Sequence, residues 1–499
     1  MDNSSPTRPN LIFFVPDSFR GDVLGHVGNP AAHTPNLDRI VASDGVSFVN
    51  AFSQNPVCTP SRCSFMTGWY THVAGHRTML NMLKPYEPCL LKTLKEHGYY
   101  VWWGGKNDLV SVKNPEDYQL WCSEKCRYPA PGEHSYDVPH YFHEEIGSGD
   151  PRFHSFYRGL VSPDGREGED QLLVDDWWVD KAVERIKNRV SDQPLCIYLS
   201  LDLPHPPYRV EKRWRGLIDK YKLPPVIPPY ASPEEFPEIM TALLKGCDIE
   251  NLDEEFWLET KAVYYAMCAR TDAMFGKVVV ALKEAGIYDD TAIFFLSDHG
   301  DFAGDYGLPE KTHSTLQDCL LRVPFIVKPP KGMPVNPGVR RQLVELTDFV
   351  ATVEDILHME SAHPHFGKST VPLFTTAEHL HREEVFAEAG KRYGEWQALN
   401  SETEKMSPDS IYGRQAKVLC QNEKILGFAT MCRTTKIKYV KRLYEKDELY
   451  DLEKDPCETV NLINDPQYGK ILIDMRERLL NHYASTCDVV PFEQDSRKI

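Results

Sequence analysis

Four short apolar runs, each stopping at a reactive polar residue, constrain this chain more than any other feature. Asn10 to Pro16 (NLIFFVP) ends at Asp17, and Tyr99 to Trp103 (YYVWW) leads into Gly104-Gly105-Lys106. Leu195 to Leu201 (LCIYLSL) leads into Asp202-Leu203-Pro204-His205, and Ala292 to Leu296 (AIFFL) into Ser297-Asp298-His299-Gly300. Their β-branched and aromatic content reads as strand, and amphipathic helical stretches alternate with them. The fold class expected is α/β, a large and mostly parallel sheet flanked by helices. In open α/β sheets ligands bind beyond the carboxyl ends of the strands. Four strand ends carrying Asp, Lys, His and Asp-His therefore predict one shared site along one sheet edge.

At 499 residues the chain is too long for one small core. A helix is predicted over Glu259 to Ala285, closed by Gly286, and the proline-rich Leu223 to Pro237 reads as an irregular loop. After Glu384 the character changes. Val385 to Glu388 reads as the last strand of a first domain. Met431 to Val440, Glu448 to Leu452 and a helix from roughly Gln467 to Tyr483 form a smaller α+β unit. The expected division is residues 1–390 and 391–499. A net charge of −17 argues against a nucleic-acid partner, and an anionic substrate would need a local cluster of Lys and Arg. No apolar run is long enough to cross a bilayer. The first ten residues lack the basic head and apolar stretch of a secretory signal. The expectation is a cytoplasmic protein without a membrane partner; a homo-oligomer is left open. The 13 cysteines read as reduced thiols, with Cys122 and Cys126 in loop or core.

The chemistry concentrates in Val57-Cys58-Thr59-Pro60-Ser61-Arg62-Cys63-Ser64-Phe65-Met66-Thr67-Gly68. Pro60 suits the first turn of a helix and Gly68 its end. Cys58 then lies at a helix N-terminus, where free N–H groups and the helix dipole favour an anion. Arg62, one turn on, can face the same side. Asp17, Asp298 and His299 offer hard oxygens and one imidazole, a set suited to Ca²⁺, Mg²⁺ or Mn²⁺.

The Cys-x-Pro-Ser-Arg segment followed by Thr-Gly resembles the signature of the type I sulfatases of the alkaline phosphatase superfamily. Further landmarks occur in order: Pro35-Asn36-Leu37-Asp38; Ser297-Asp298-His299-Gly300 with Gly304, Gly307, Lys311 and Arg322-Val323-Pro324; and Glu448-Leu449-Tyr450-Asp451-Leu452 with Asp455-Pro456 and Asn461-Leu462. The resemblance spans almost the whole chain. It implies an alkaline-phosphatase-like fold and a sulfuric ester hydrolase acting on a small-molecule or saccharide sulfate ester. It also implies one divalent metal, Ca²⁺ ahead of Mn²⁺ and Mg²⁺, and conversion of Cys58 to formylglycine by a formylglycine-generating enzyme. The chemical logic favours that conversion: a sulfurylated thiol would need water to attack sulfur, whereas an aldehyde hydrate attacks with one hydroxyl and expels sulfate with the other.

By the same resemblance Lys106 and Lys311 bind the free oxygens of the ester, and His205, in Pro204-His205-Pro206, is the general acid. His76, His313 and Arg77 are expected in the pocket. Three features depart from the family pattern. Ser18 stands where a second aspartate is common, and Asn107-Asp108 follow Lys106 where x-His is common, so Asn107 or Asp108 is expected to touch substrate. Asp-His at 298–299 replaces the commoner Asp-Asn. Phosphodiester or phosphonate monoester hydrolysis on the same scaffold is the alternative, and a non-catalytic anion binder is a third reading. Specificity for the alcohol is expected from Ser111 to Pro151, Leu223 to Asn251 and Gly390 to Gly413.

Overall fold

The computed structural model describes residues 8–128, 157–161, 173–190, 193–229, 236–247, 249–397 and 413–493. Parts of the three expected specificity stretches (residues 129–151, 230–235, 248 and 398–412) lie outside them. All four marked runs are strands, and they are neighbours. The sheet of nine strands runs in the order Gly338–Glu345, Val46–Phe52, Phe325–Lys328, Thr291–Leu296, Asn10–Val15, Leu195–Ser200, Tyr100–Gly105 and Glu124–Lys125. A short strand, Arg322–Val323, pairs beside Val46–Phe52. The four marked strands pair parallel with one another, so their carboxyl ends open on one edge. Phe325–Lys328 runs antiparallel to both of its neighbours.

Side chains alternate across a strand, and here both faces are covered. Leu11, Phe13 and Val15 enter one core, Ile12 and Phe14 the other. The helix Glu254–Glu284 covers the second face, with Phe275 edge-on to Phe14 at 5.3 Å. Asp348–Ile356 covers the first, with Phe349 edge-on to Phe13 at 4.9 Å. The long helix starts earlier than its apolar pattern predicts because Asp253 accepts a hydrogen bond from Phe256 N and caps it. Gly286, at φ 69°, follows its end.

The smaller sheet is antiparallel: Val385–Ala389, Ala429–Arg433, Ile437–Arg442 and Glu448–Asp451. This corrects the placement of Val385–Glu388, expected as the last strand of the larger unit. One of its faces (Val385, Ala387, Ala389) packs with Phe52 and Leu343 of the large unit. The other, through Phe386, meets Met475 and Leu479 of the helix Gly469–Thr486. A strand buried on both faces carries no local mark of the sheet it joins. The described residues contain no disulfide, and none of their helices is long and apolar enough to cross a membrane.

Gly105 ends its strand at φ 98°, and a Cβ there would fall 1.9 Å from Ser200 O. Gly105→Ala should therefore lower stability by about 3 kcal/mol. Urea unfolding checks this, and an unchanged midpoint would contradict the close approach of the two strands.

Candidate active site

Cys58 opens the helix Cys58–Thr67, every residue of which is buried, and Gly68 closes it at φ 69°. Val57 before it is extended, so the chain turns sharply into the helix at the nucleophile candidate. Ser61 Oγ donates to Asp298 O at 2.6 Å and ties the first turn to a strand end. Arg62 points back under Cys58. Its Nε and Nη2 lie 2.9 and 2.8 Å from Asp298 Oδ2, and Nη2 lies 3.1 Å from Asp17 Oδ2. Nη1 donates to Ser200 Oγ at 2.6 Å and to Tyr198 Oη at 3.3 Å.

Lys106 Nζ sits 2.5 Å from Asp17 Oδ2, 2.8 Å from Asp108 Oδ2 and 3.9 Å from Cys58 Sγ. Burial works against this ammonium, but Asp108 and Asp17 outweigh it and raise its pKa well above the ordinary lysine value. Burial works against the Asp17 carboxylate too, but the Lys106 charge holds its pKa well below the usual range. Burial and then Asp17 push the Cys58 thiol well up, so the encoded side chain is a poor thiolate.

His299 Nδ1 lies 2.8 Å from Gly300 O, to which it donates; Nε2 is then left as a lone pair. That nitrogen lies 3.3 Å from Cys58 Sγ, 3.6 Å from Asp17 Oδ1 and 3.8 Å from Asp298 Oδ2. Ligand atoms of Asp17, Cys58, Asp298 and His299 all fall within 4.8 Å of one another. Donor atoms around Ca²⁺ or Mg²⁺, at about 2.0–2.6 Å from the ion, lie about 3–5 Å apart. Convergent lone pairs of this hard type, with a thiol position among them, fit a divalent cation. Ser18, at φ 67°, donates its hydroxyl to Asp17 Oδ1 at 2.9 Å and its N–H to Asp298 Oδ1 at 3.2 Å, so it orients the carboxylates.

On the other flank Lys311 Nζ lies 2.8 Å from His205 Nε2 and 2.7 Å from Glu310 Oε1. His205 Nδ1 donates to Pro206 O at 2.7 Å, so Nε2 accepts from the lysine. Burial and the Lys311 charge hold the His205 pKa well below the ordinary value. His313 lies in the same segment, its Nδ1 buried without a hydrogen-bond partner. Burial and Lys311 push its pKa down to about 4.

Two residues expected in the pocket are engaged elsewhere. His76 Nδ1 donates to Asn81 O at 2.6 Å and its Nε2 faces Glu87 at 3.2 Å, which holds the loop after the Cys58–Thr67 helix. The Asn107 carbonyl accepts from Leu109 N and Val110 N while its amide donates to Val110 O, a local turn that consumes the side chain. Asp108 pairs with Lys106, and Arg77 pairs with Glu395 at 3.0 Å. Sequence reasoning missed Glu310, Tyr198, Ser200 and Tyr264. Tyr264 donates to Ser18 O at 2.6 Å and accepts from Arg20 N, clamping the loop that carries Asp17. Only Ser200, the last residue of a marked strand, carried a positional signal.

The fold and this edge-of-sheet cluster define a hydrolase of the alkaline phosphatase superfamily. A sequence model of the sulfatase family matches residues 9–359, and the chain belongs to that family. It is 28% identical to arylsulfatase K of Gallus gallus over 74% of this chain and 66% of that protein. It is 25% identical to an arylsulfatase of Clostridium perfringens over 95% of this chain and 94% of that one. The phosphonate monoester hydrolase of Agrobacterium radiobacter superposes with a TM-score of 0.74, at 22% identity and 96% coverage of both chains, which shows a shared fold.

Arg62→Met would strip Asp17 and Asp298 of their guanidinium partner. In metal-free protein it should lower stability by about 3–5 kcal/mol, and added Ca²⁺ should recover part of the loss. Thermal unfolding with and without the ion reads both effects; a variant as stable as the parent would mean the two aspartates are not buried as charges.

Proposed function

We propose that the chain hydrolyses a small or medium sulfate ester, using a formylglycine made from Cys58 and one divalent metal, Ca²⁺ by preference. The observation that carries this reading is the convergence of the Cys58, His299, Asp17 and Asp298 ligand atoms within 4.8 Å, with Lys106 Nζ 3.9 Å from the sulfur. Cys58 Sγ stands for the oxygen of the aldehyde hydrate. That hydrate supplies an attacking hydroxyl and a second one for release of sulfate. The metal, held by Asp17, Asp298 and His299, supplies positive charge that favours ionisation of a hydroxyl and offsets charge on the ester.

The chain's own residues do the rest. Lys106 and Lys311 place two ammonium groups where the free sulfuryl oxygens come to lie. Arg62 holds both aspartates in place. Before substrate binds, Nε2 of neutral His205 accepts from the Lys311 ammonium. Once Lys311 turns to the anionic ester, Nε2 is freed, and the ester's negative charge favours its uptake of a proton from water. His205 then gives it to the departing alkoxide, with Glu310 holding Lys311 in place.

Phosphodiester or phosphonate monoester hydrolysis is the second reading. It draws support from Ser18, which leaves one carboxylate fewer beside the metal ligands. Parallel kinetics on an aryl sulfate, an aryl phosphodiester and an aryl phosphonate monoester separate the two; a kcat/KM favouring the phosphorus esters by orders of magnitude reverses the choice. Mass spectrometry of active enzyme should find an aldehyde at residue 58, and an unmodified thiol there would sink the mechanism. His205→Ala should lower kcat/KM by about 10²–10⁴-fold for sulfates of poorly acidic alcohols. The loss should be much smaller for 4-nitrophenyl sulfate, whose leaving group needs no proton. Equal losses on both would remove His205 from the acid role.

A further inference from the structure

The strand Leu195–Ser200 runs into the turn that carries Asp202 and His205, and a residue from another element holds that turn. Asp175 lies in the first turn of the helix Val174–Lys187 and is only 1% exposed. Its Oδ2 accepts from Leu203 N at 2.7 Å and from Asp202 N at 3.1 Å, and its Oδ1 accepts from Asp202 N at 3.1 Å. Among the described residues its hydrogen bonds all go to this turn.

The turn passes the constraint on in two directions. His205 N donates to Asp202 O at 2.8 Å, which fixes where the imidazole is anchored. Leu203 O accepts from Asp17 N at 3.2 Å, which ties the same turn to the loop of Asp17. One carboxyl therefore registers the His205 loop against the Asp17 loop. The base of this clamp is itself fixed. Asp176, next in the helix, accepts from Leu173 N at 3.0 Å and pairs at 2.6 Å with Arg270 of the helix Glu254–Glu284. Val174, Trp178 and Val179 bury the same stretch in the core.

Burial and the charge of Asp202 push the Asp175 carboxyl above the usual carboxylate range. The group is thus costly as packing, and what it gains is a turn with one position. Without it the N–H groups of Asp202 and Leu203 would lose their acceptor.

We infer that Asp175 is a positioning residue for proton delivery: by clamping the N–H groups of Asp202 and Leu203 it aims His205 at the leaving-group oxygen. This rests on the acid role proposed above for His205 and deepens it.

The test uses full-length, metal-loaded enzyme with oxidised residue 58, on phenyl sulfate and 4-nitrophenyl sulfate. The readout is the ratio of kcat/KM for the first to that for the second, since only the poorer leaving group needs a proton. Asp175→Ala should lower this ratio about tenfold. In a His205→Ala background the same substitution should change it by less than about twofold, because both act through one proton transfer. Asp175→Asn, whose amide oxygen can replace Oδ2, should recover most of the ratio. Should Asp175→Ala not fold, Asp175→Glu takes its place; it keeps the acceptors, moves them by a methylene group and should lower the ratio about threefold or more. An unaltered ratio in the folded variant overturns the proposal, as does an asparagine variant as impaired as the alanine one. So do equal losses on both esters, which mark a purely structural clamp, and a further fall of the ratio in the absence of His205. A parent ratio retained in His205→Ala overturns the acid role instead, and a parent enzyme that cleaves neither ester overturns the sulfatase reading.

Discussion

Asp17 and Asp298 lie fully buried at the carboxyl ends of adjacent parallel strands, close enough that each would repel the other unless positive charge were supplied between them. Arg62 supplies it from below and Lys106 from the side. Arg62 can do so only because the helix that begins at Cys58 docks end-on against the sheet edge, its first turn tied to Asp298 O through Ser61. The ion pairing that makes two buried carboxylates tolerable thus also decides where Cys58 stands. The sheet contributes registration: four parallel strands fix the spacing of Asp17, Lys106, His205 and Asp298-His299 with backbone hydrogen bonds, which deform less than side-chain contacts do.

What could be read in advance followed from local signals that do not depend on partners. Strand ends at Asp17, Lys106, Asp202 and Asp298 were visible as abrupt changes from apolar to polar, and the helix at Cys58 was marked by Pro60 and Gly68. What escaped depends on chain segments far apart in sequence. Glu310 matters because it faces Lys311 beside His205, and Tyr264 because a helix face meets the Asp17 loop; neither has a sequence signature. His76 and Asn107 misled for the opposite reason. Polar side chains near a motif resemble ligands until their own loops are seen to use them. Val385–Ala389 escaped because an apolar run cannot declare which sheet it joins.

The small unit also touches loops that flank the site. Its edge segment bonds to the loop after Lys311 and to Met79 beside the Cys58–Thr67 helix. The C-terminal residues are thus tied to the loops on two sides of the strand ends. Lys106, Lys311 and Arg62 are each paired with acids of the site, inside a chain of net charge −17. On the proposed function, an anionic ester would meet these cations only at short range, where water screens least.

Cys58 is only 3% exposed and its helix is buried along its whole length. A side chain that deep cannot be threaded into another enzyme's active site once the sheet and helix have closed. If its alteration is what makes the protein work, the alteration belongs to the open chain, during or soon after synthesis. Folding and maturation are then competitors in time: a chain that closes first is well formed but inert, with no route back short of unfolding. The specific activity of a preparation would record the outcome of that race as much as the quality of the fold.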